Sequence, residues 1–246
     1  MFYEDDQLTD FEYDVLAKTT QKKLIHPRAD SYLKMGFNQR LYMMQRSRIF
    51  IRDNTQPADR KTLSPYLVSD LNVHVNGYYL NLCGALDNLA WVMTYELALQ
   101  SDIDENIKRS RMFANLFGKD FRKSLRKYKG DIVQILDENI DWNDELRRFR
   151  DPAAHRIPIY MSPSIMDESD IEKFREIERG AELSEEERGG RTRASYLIEA
   201  RSLGRYEPIM VTSSPDGLVA HSFPNQVAKD HSIFLSIAEK LIDHCL

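Results

Sequence analysis

Apolar residues recur at spacings of three and four over most of the first 150 positions, the period of an amphipathic helix and not of a strand. The strongest run covers 65–99, where Leu71, Val75, Tyr78, Leu82, Leu86, Leu89, Met93 and Leu97 fall on one face. Ser64-Pro65 opens it, with serine as cap and proline in the first turn, so the spacing predicts a long central helix. Before it, 31–52 reads as a second long helix through Leu33, Phe37, Leu41, Met44, Arg48 and Ile51, closed by the Asp53-Asn54-Thr55-Gln56-Pro57 breaker. A shorter helix is expected over 8–24. After the central helix, two short helices are expected over 105–117 and 119–129, divided by Gly118. A further one over 131–149 is expected to pack through Ile132, Ile135, Leu136, Ile140 and Leu146.

The pattern changes after Pro158. Residues 159–167 read as extended or irregular, 168–187 is strongly acidic, and Gly189-Gly190 breaks the chain. The acidic segment is expected to be a solvated helix or an insertion. Ser214-Pro215-Asp216-Gly217 is a turn signal between two short apolar runs, 208–212 and 218–221, and predicts one β-hairpin. An amphipathic helix over 225–245 closes the chain. The expected architecture is all-α, with a helical bundle over 1–160. Residues 161–246 form a C-terminal elaboration of acidic segment, β-hairpin and final helix packing on the same domain.

Composition narrows the class. The chain of 246 residues, 42% hydrophobic and 30% charged, is long enough to bury a sizeable core. A net charge of -5 excludes a uniformly basic nucleic-acid binder but leaves room for a local basic surface. Cys83 and Cys245 suggest neither a disulfide framework nor a zinc cluster and fit a reducing cytoplasm. With no apolar run of membrane-spanning length and an acidic start, a cytoplasmic protein without membrane attachment is expected.

The chemistry-bearing stretch is Arg147-Arg148-Phe149-Arg150-Asp151-Pro152-Ala153-Ala154-His155-Arg156-Ile157-Pro158. Arginine with histidine can perform phosphodiester chemistry without a metal, one holding the phosphate and the other moving the proton. On an ideal helix residues five apart point about 140° from one another, so Arg150 and His155 converge only if the helix is interrupted. Pro152 is expected to supply that interruption, with Asp151 capping a new short turn.

Arg150-Asp151-x3-His155, entered from a helix and preceded by the long helix bearing Ala85-Leu86-Asp87-Asn88-Leu89-Ala90-Trp91, resembles the HEPN superfamily of all-α domains, whose members carry an R-x4-6-H motif. The resemblance runs over about 30–160 at the level of helix order, and the motif is its specific part. It implies a HEPN-like helical bundle that often dimerises, bringing two motifs into one composite site. Many members are metal-independent endoribonucleases in toxin-antitoxin, abortive-infection or other defence systems, and others keep the fold as a binding or scaffold module. In the catalytic branch, His155 would take the proton from a ribose 2′-OH and Arg150 would stabilise the phosphorane-like transition state. Asp151 would orient a motif side chain or cap the turn. The products would be 2′,3′-cyclic phosphate and 5′-OH ends, with no cofactor and no metal. Implied partners are RNA, a second copy of the chain, and an antitoxin or defence partner. One branch carries a tyrosine two residues after the histidine, where this chain has Ile157, so regulation through that tyrosine is not expected.

Other residues bear on the same choice. Lys119, Arg122, Lys123, Arg126 and Lys127, with Lys108, Arg109 and Arg111 before them, interleave with Phe113, Phe117 and Phe121. Such a stretch can track an RNA backbone, extended to the motif by Arg147, Arg148 and Arg156, or it can be the solvated side of core helices. His74, Asn81, Asn88 and Tyr95 form a polar stripe on the central helix. Asn81 and Asn88 would line the motif cleft, with Asp87 pairing to Arg150, or the stripe marks the boundary between core and solvent. His26, His221, His231 and His244 show no metal or triad spacing. Three functions therefore stand open: a metal-independent ribonuclease, a non-catalytic HEPN-like interaction module, and a helical RNA-binding protein.

Overall fold

The computed structural model describes residues 3–55, 62–99, 112–214 and 217–245. Helix α1 (Tyr3–Gln21) leads into α2 (Pro27–Ser31), whose first turn holds Pro27 and whose cap is His26, accepting from the Arg28 N–H at 3.1 Å. A π-helical stretch over Tyr32–Phe37 joins α2 to α3 (Asn38–Thr55), and Leu33, Phe37, Leu41, Met44 and Ile51 along this path are fully buried. The expected stop at Asp53 is not used: Asp53 to Thr55 remain helical, and Gln56-Pro57 lie outside the described residues.

Helix α4 (Pro65–Glu96) is the axis of the fold. Ser64 caps it by accepting from the Leu67 N–H at 3.3 Å, and its predicted apolar face is buried from Leu71 to Met93. Fully burying such leucine, valine or methionine side chains stabilises by about 2 kcal/mol each. The helix ends where Ala98 adopts a positive φ of 47°, and the Glu96 carboxylate accepts from the N–H groups of Ile25 (2.8 Å) and His26 (3.0 Å), tying the α1–α2 loop to that end.

Of the expected 105–117 helix, 105–111 lie outside the described residues, and 114–118 form a turn closed by the Gly118 N–H to the Asn115 carbonyl at 2.8 Å. Helix α5 (Lys119–Leu125) follows, and the expected single helix over 131–149 is two. These are α6 (Gly130–Glu138) and α7 (Ile140–His155), separated at Asn139, whose φ of -109° and ψ of 16° leave helical geometry.

The C-terminal part begins with a short strand, β1 (Tyr160–Met161). Two asparagines of α4 act as its outer neighbour. Asn76 bonds both the Ile159 N–H and its carbonyl (3.0 and 2.7 Å), and Asn72 accepts from the Met161 N–H at 2.7 Å. Helices α8 (Glu168–Glu182) and α9 (Arg193–Ala200) then pack on each other around a small second core of Ile177, Tyr196 and Ala200. Before the chain pairs again, Ile165 and Arg205 exchange backbone hydrogen bonds. Strands β2 (Ile209–Ser214) and β3 (Gly217–Ser222) form the predicted hairpin, Val211 facing Ala220, and β1 adds to β2 to make a three-stranded antiparallel sheet. Helix α10 (Phe223–Cys245) returns into the main core through Phe234, Leu235, Ile237, Ala238 and Leu241.

Two buried polar clusters fasten α10 to the bundle. Asp230 accepts from Tyr79 (3.1 Å), Trp142 Nε1 (3.0 Å) and Gln226 (3.1 Å), joining α4, α7 and α10. His231 lies between the Tyr78 hydroxyl (3.1 Å from Nδ1) and the Glu12 carboxyl (2.7 Å from Nε2), while Arg48 donates to the other Glu12 oxygen at 2.9 Å. Burial pushes Glu12 up to about 8 and pushes His231 well below its ordinary value. Among the described residues no helix is long and apolar enough to cross a membrane.

Candidate functional site

Helix α7 carries the motif. Its apolar residues Trp142, Leu146, Phe149 and Pro152 are buried at helical spacing, which turns Arg147, Arg148, Arg150, Asp151 and His155 away from the core. Phe149 fixes the helix: its ring stacks on Tyr79 (centroids 4.6 Å, 10° between planes) and meets His221 edge-on at 4.9 Å.

The expected interruption at Pro152 does not occur. Pro152 sits inside α7, the helix runs on to His155, and the Arg156 N–H bonds to the Pro152 carbonyl at 3.2 Å. Pro152 has no N–H to give the Arg148 carbonyl, only one turn follows it, and its ring is buried beside the cleft between α7 and the hairpin. Asp151 is therefore no cap. It accepts from Arg150 Nη1 at 3.1 Å. With the helix unbroken, Arg150 and His155 of one chain diverge by about 140°.

Arg150 projects into a cavity of about 250 Å³ lined by Cys83, Asp87, Asn115, Asn143, Arg147 and Asp151 among others. Burial raises Asp87, with the charges of Arg150, Arg40 and Arg147 opposing, but the expected Asp87–Arg150 pair is not formed among the described residues: Arg150 pairs with its neighbour Asp151 instead. Burial, with Asp87 next, pushes the Cys83 thiol up to about 12, leaving it a poor nucleophile. Asn81 and Asn88 do not line this cavity. They turn to α3, where Arg40 donates to Asn81 at 3.1 Å and to Asn88 at 3.0 Å across the face of Gly84. His74 stacks on Phe50 at 4.0 Å between centroids, at the edge of the core.

His155 lies on the last turn of α7, exposed and without a hydrogen bond among the described residues. On the other side of the Arg147–Asp151 ridge a larger cleft of about 540 Å³ separates α7 from the hairpin, and Arg147, Arg148, Arg156 and His221 line it. His221 was not distinguishable by spacing, since β2 and β3 bring it to α7 from 66 residues beyond His155. The hairpin face Thr212–His221 is joined by a 3.0 Å contact between Oγ1 and Nε2.

The basic stretch is divided. Arg122 and Arg126 both pair with Asp137 of α6, the second at 2.8 Å, while Lys119, Lys123 and Lys127 are exposed. Phe117 and Phe121 are core residues. Lys108, Arg109 and Arg111 lie outside the described residues. Among the described residues no group of three or more histidine, cysteine, aspartate or glutamate side chains is placed to hold a metal ion. Comparison with protein-family models, curated proteins and solved structures returns no match.

Proposed function

We propose that this chain is a HEPN-like, metal-independent endoribonuclease that works as a dimer. The observation that carries the reading is the side of α7 turned from the core, where Arg147, Arg148 and Arg150, followed by Arg156 just past the helix end, accompany an exposed histidine on the last turn. Guanidinium groups bind phosphate by charge and paired hydrogen bonds, and an imidazole that nothing engages is available for proton transfer. Because Arg150 and His155 diverge on an unbroken helix, the second copy must supply the group that one chain lacks at each site.

In this reading Arg150 holds the scissile phosphate, its fork oriented by Asp151 at 3.1 Å. The second copy's His155 takes the 2′-OH proton, the 2′-oxygen attacks phosphorus, and Arg150 stabilises the charge on the equatorial oxygens. The P–O5′ bond breaks, the leaving oxygen takes a proton from water, and the products are a 2′,3′-cyclic phosphate and a 5′-OH. A toxin-antitoxin or antiviral defence setting goes with this reading through the family resemblance alone.

The test is cleavage of end-labelled RNA in EDTA by wild type, Arg150→Ala and His155→Ala, with chemical analysis of the new ends and light scattering for mass. Cyclic-phosphate ends from a dimeric wild type, reduced 100-fold or more in either variant, are expected, since a general base contributes about 10²–10⁴. Intact RNA in all three favours an interaction module, a reading that the Arg150–Asp151 pair and the nearby Asp87 support by giving Arg150 a structural use.

A further inference from the structure

We infer that the cleft between α7 and the β2–β3 hairpin is a second phosphate site, which holds a phosphodiester of the RNA strand adjacent to the one bound at Arg150. The inference rests on the RNA reading above and adds a place to it.

Three guanidiniums, of Arg147, Arg148 and Arg156, face this cleft with two carboxylates, Glu145 and Asp151. Both carboxylates are already engaged by cations from elsewhere: Lys229 of α10 holds Glu145 at 2.6 Å, and Arg150 holds Asp151 at 3.1 Å. Arg148 and Arg156 make no side-chain hydrogen bond or ion pair among the described residues, and both are exposed. The cleft therefore concentrates uncompensated positive charge on a chain whose net charge is -5, which draws an anion here and not to the surface at large.

Shape agrees with charge. The volume of about 540 Å³ lies within the range of small-ligand sites and admits one nucleotide unit. The hairpin side presents Thr212 and His221 as polar atoms, with the apolar edge of Val219 beside them. Burial lowers His221, with Glu145 opposing, so its ring is neutral near pH 7 and the arginines carry the charge. Arg147 and Asp151 line both cavities, so a strand crossing this ridge passes from one phosphate position to the next without leaving α7.

The experiment is fluorescence anisotropy with a 5′-labelled single-stranded RNA decamer, in EDTA and with His155→Ala as the parent to prevent turnover. Adding Arg148→Ala and Arg156→Ala together is expected to weaken binding by at least about tenfold. It should also flatten the slope of log K against log salt by about 1.4, the value for two phosphate contacts on a single strand. Lys123→Ala with Lys127→Ala should change binding less than about twofold. An unchanged melting curve shows that the exposed arginine substitutions leave the fold intact. Binding as tight in the double arginine variant as in the parent overturns the inference, as does no binding by the parent. Displacement of the decamer by adenosine monophosphate at comparable affinity keeps the phosphate site but assigns it to free nucleotides, which overturns the strand-crossing part. Failure of the ribonuclease reading is seen separately, as absence of cleavage in a wild type that still binds through Arg148 and Arg156.

Discussion

Raising the pH from 6.5 to 8.5 should destabilise this fold, and the reason lies in the buried Glu12–His231 contact. The two atoms are 2.7 Å apart, both residues are fully buried, and Gln45 and Arg48 also face the Glu12 carboxyl. Burial places the folded pKa of Glu12 at about 8, above its free value of 4.5, so its contribution is full below 4.5 and is lost as pH rises towards 8. His231 is shifted the other way. Its contribution is full above 6.5 and is lost as pH falls through its lowered folded value. Just below 6.5 the folded pair and the unfolded pair each bind one proton, so the slopes cancel there. Above 6.5 only the folded pair keeps it, at a cost of about 1.4 kcal/mol per pH unit, or about 2 kcal/mol by pH 8. Urea unfolding followed by far-UV circular dichroism at pH 5.5, 6.5, 7.5 and 8.5 measures this directly. Glu12→Gln removes the titration and should flatten the profile above 6.5 while losing about 1–2 kcal/mol at pH 6, since the amide keeps the shape and most of the hydrogen bonding. The Gln45 hydrogen bond opposes burial at Glu12, and Arg48 donates to the same carboxyl at 2.9 Å. A flat wild-type profile above 6.5, with a loss of about 3–5 kcal/mol in Glu12→Gln, would show that the ion pair wins and would refute the neutral pair.

Two further outcomes follow from packing. Asp230→Ala leaves the Tyr79 and Trp142 donors buried without an acceptor and should cost about 3 kcal/mol or more in urea unfolding; a loss below about 1 kcal/mol would contradict the assigned hydrogen bonds. Gly84→Ala places a methyl group against the Arg40 guanidinium and should release it from Asn81 and Asn88, so the melting temperature falls although alanine favours helix by about 1 kcal/mol. A variant more stable than wild type would show that Arg40 moves aside without loss.

Local signals carried much of this architecture. The Ser64-Pro65 start, the periodic face of α4 and the hairpin around the Gly217 turn are short-range features, and each appears within a few residues of its expected place. The errors have physical causes too. The break at Asn139 has no proline or glycine to announce it, whereas Pro152 announces a break and the helix runs on for one turn past it. Helix α9 is only eight residues long and is held by Thr192 and by packing on α8, which gives it little periodicity to read. At the site, Arg147, Arg148, Arg150 and Asp151 came from one contiguous motif and were legible. The partners that shape it were not. Lys229 reaches Glu145 across 84 positions, and His221 meets Phe149 from another element altogether, contacts that no spacing along the chain encodes.

Helices α8 and α9 leave the body of the fold and rejoin it at one paired point, Ile165 with Arg205. Gly204 makes that closure possible: its φ is 85°, and a β-carbon there would press on the Ile165 carbonyl. The body thus meets the arm through its two ends, while the arm keeps a core of its own. Such an arrangement is a cassette. A change to its length, charge or tip is therefore expected to leave the closure at Ile165, Gly204 and Arg205 and the core around α4 in place.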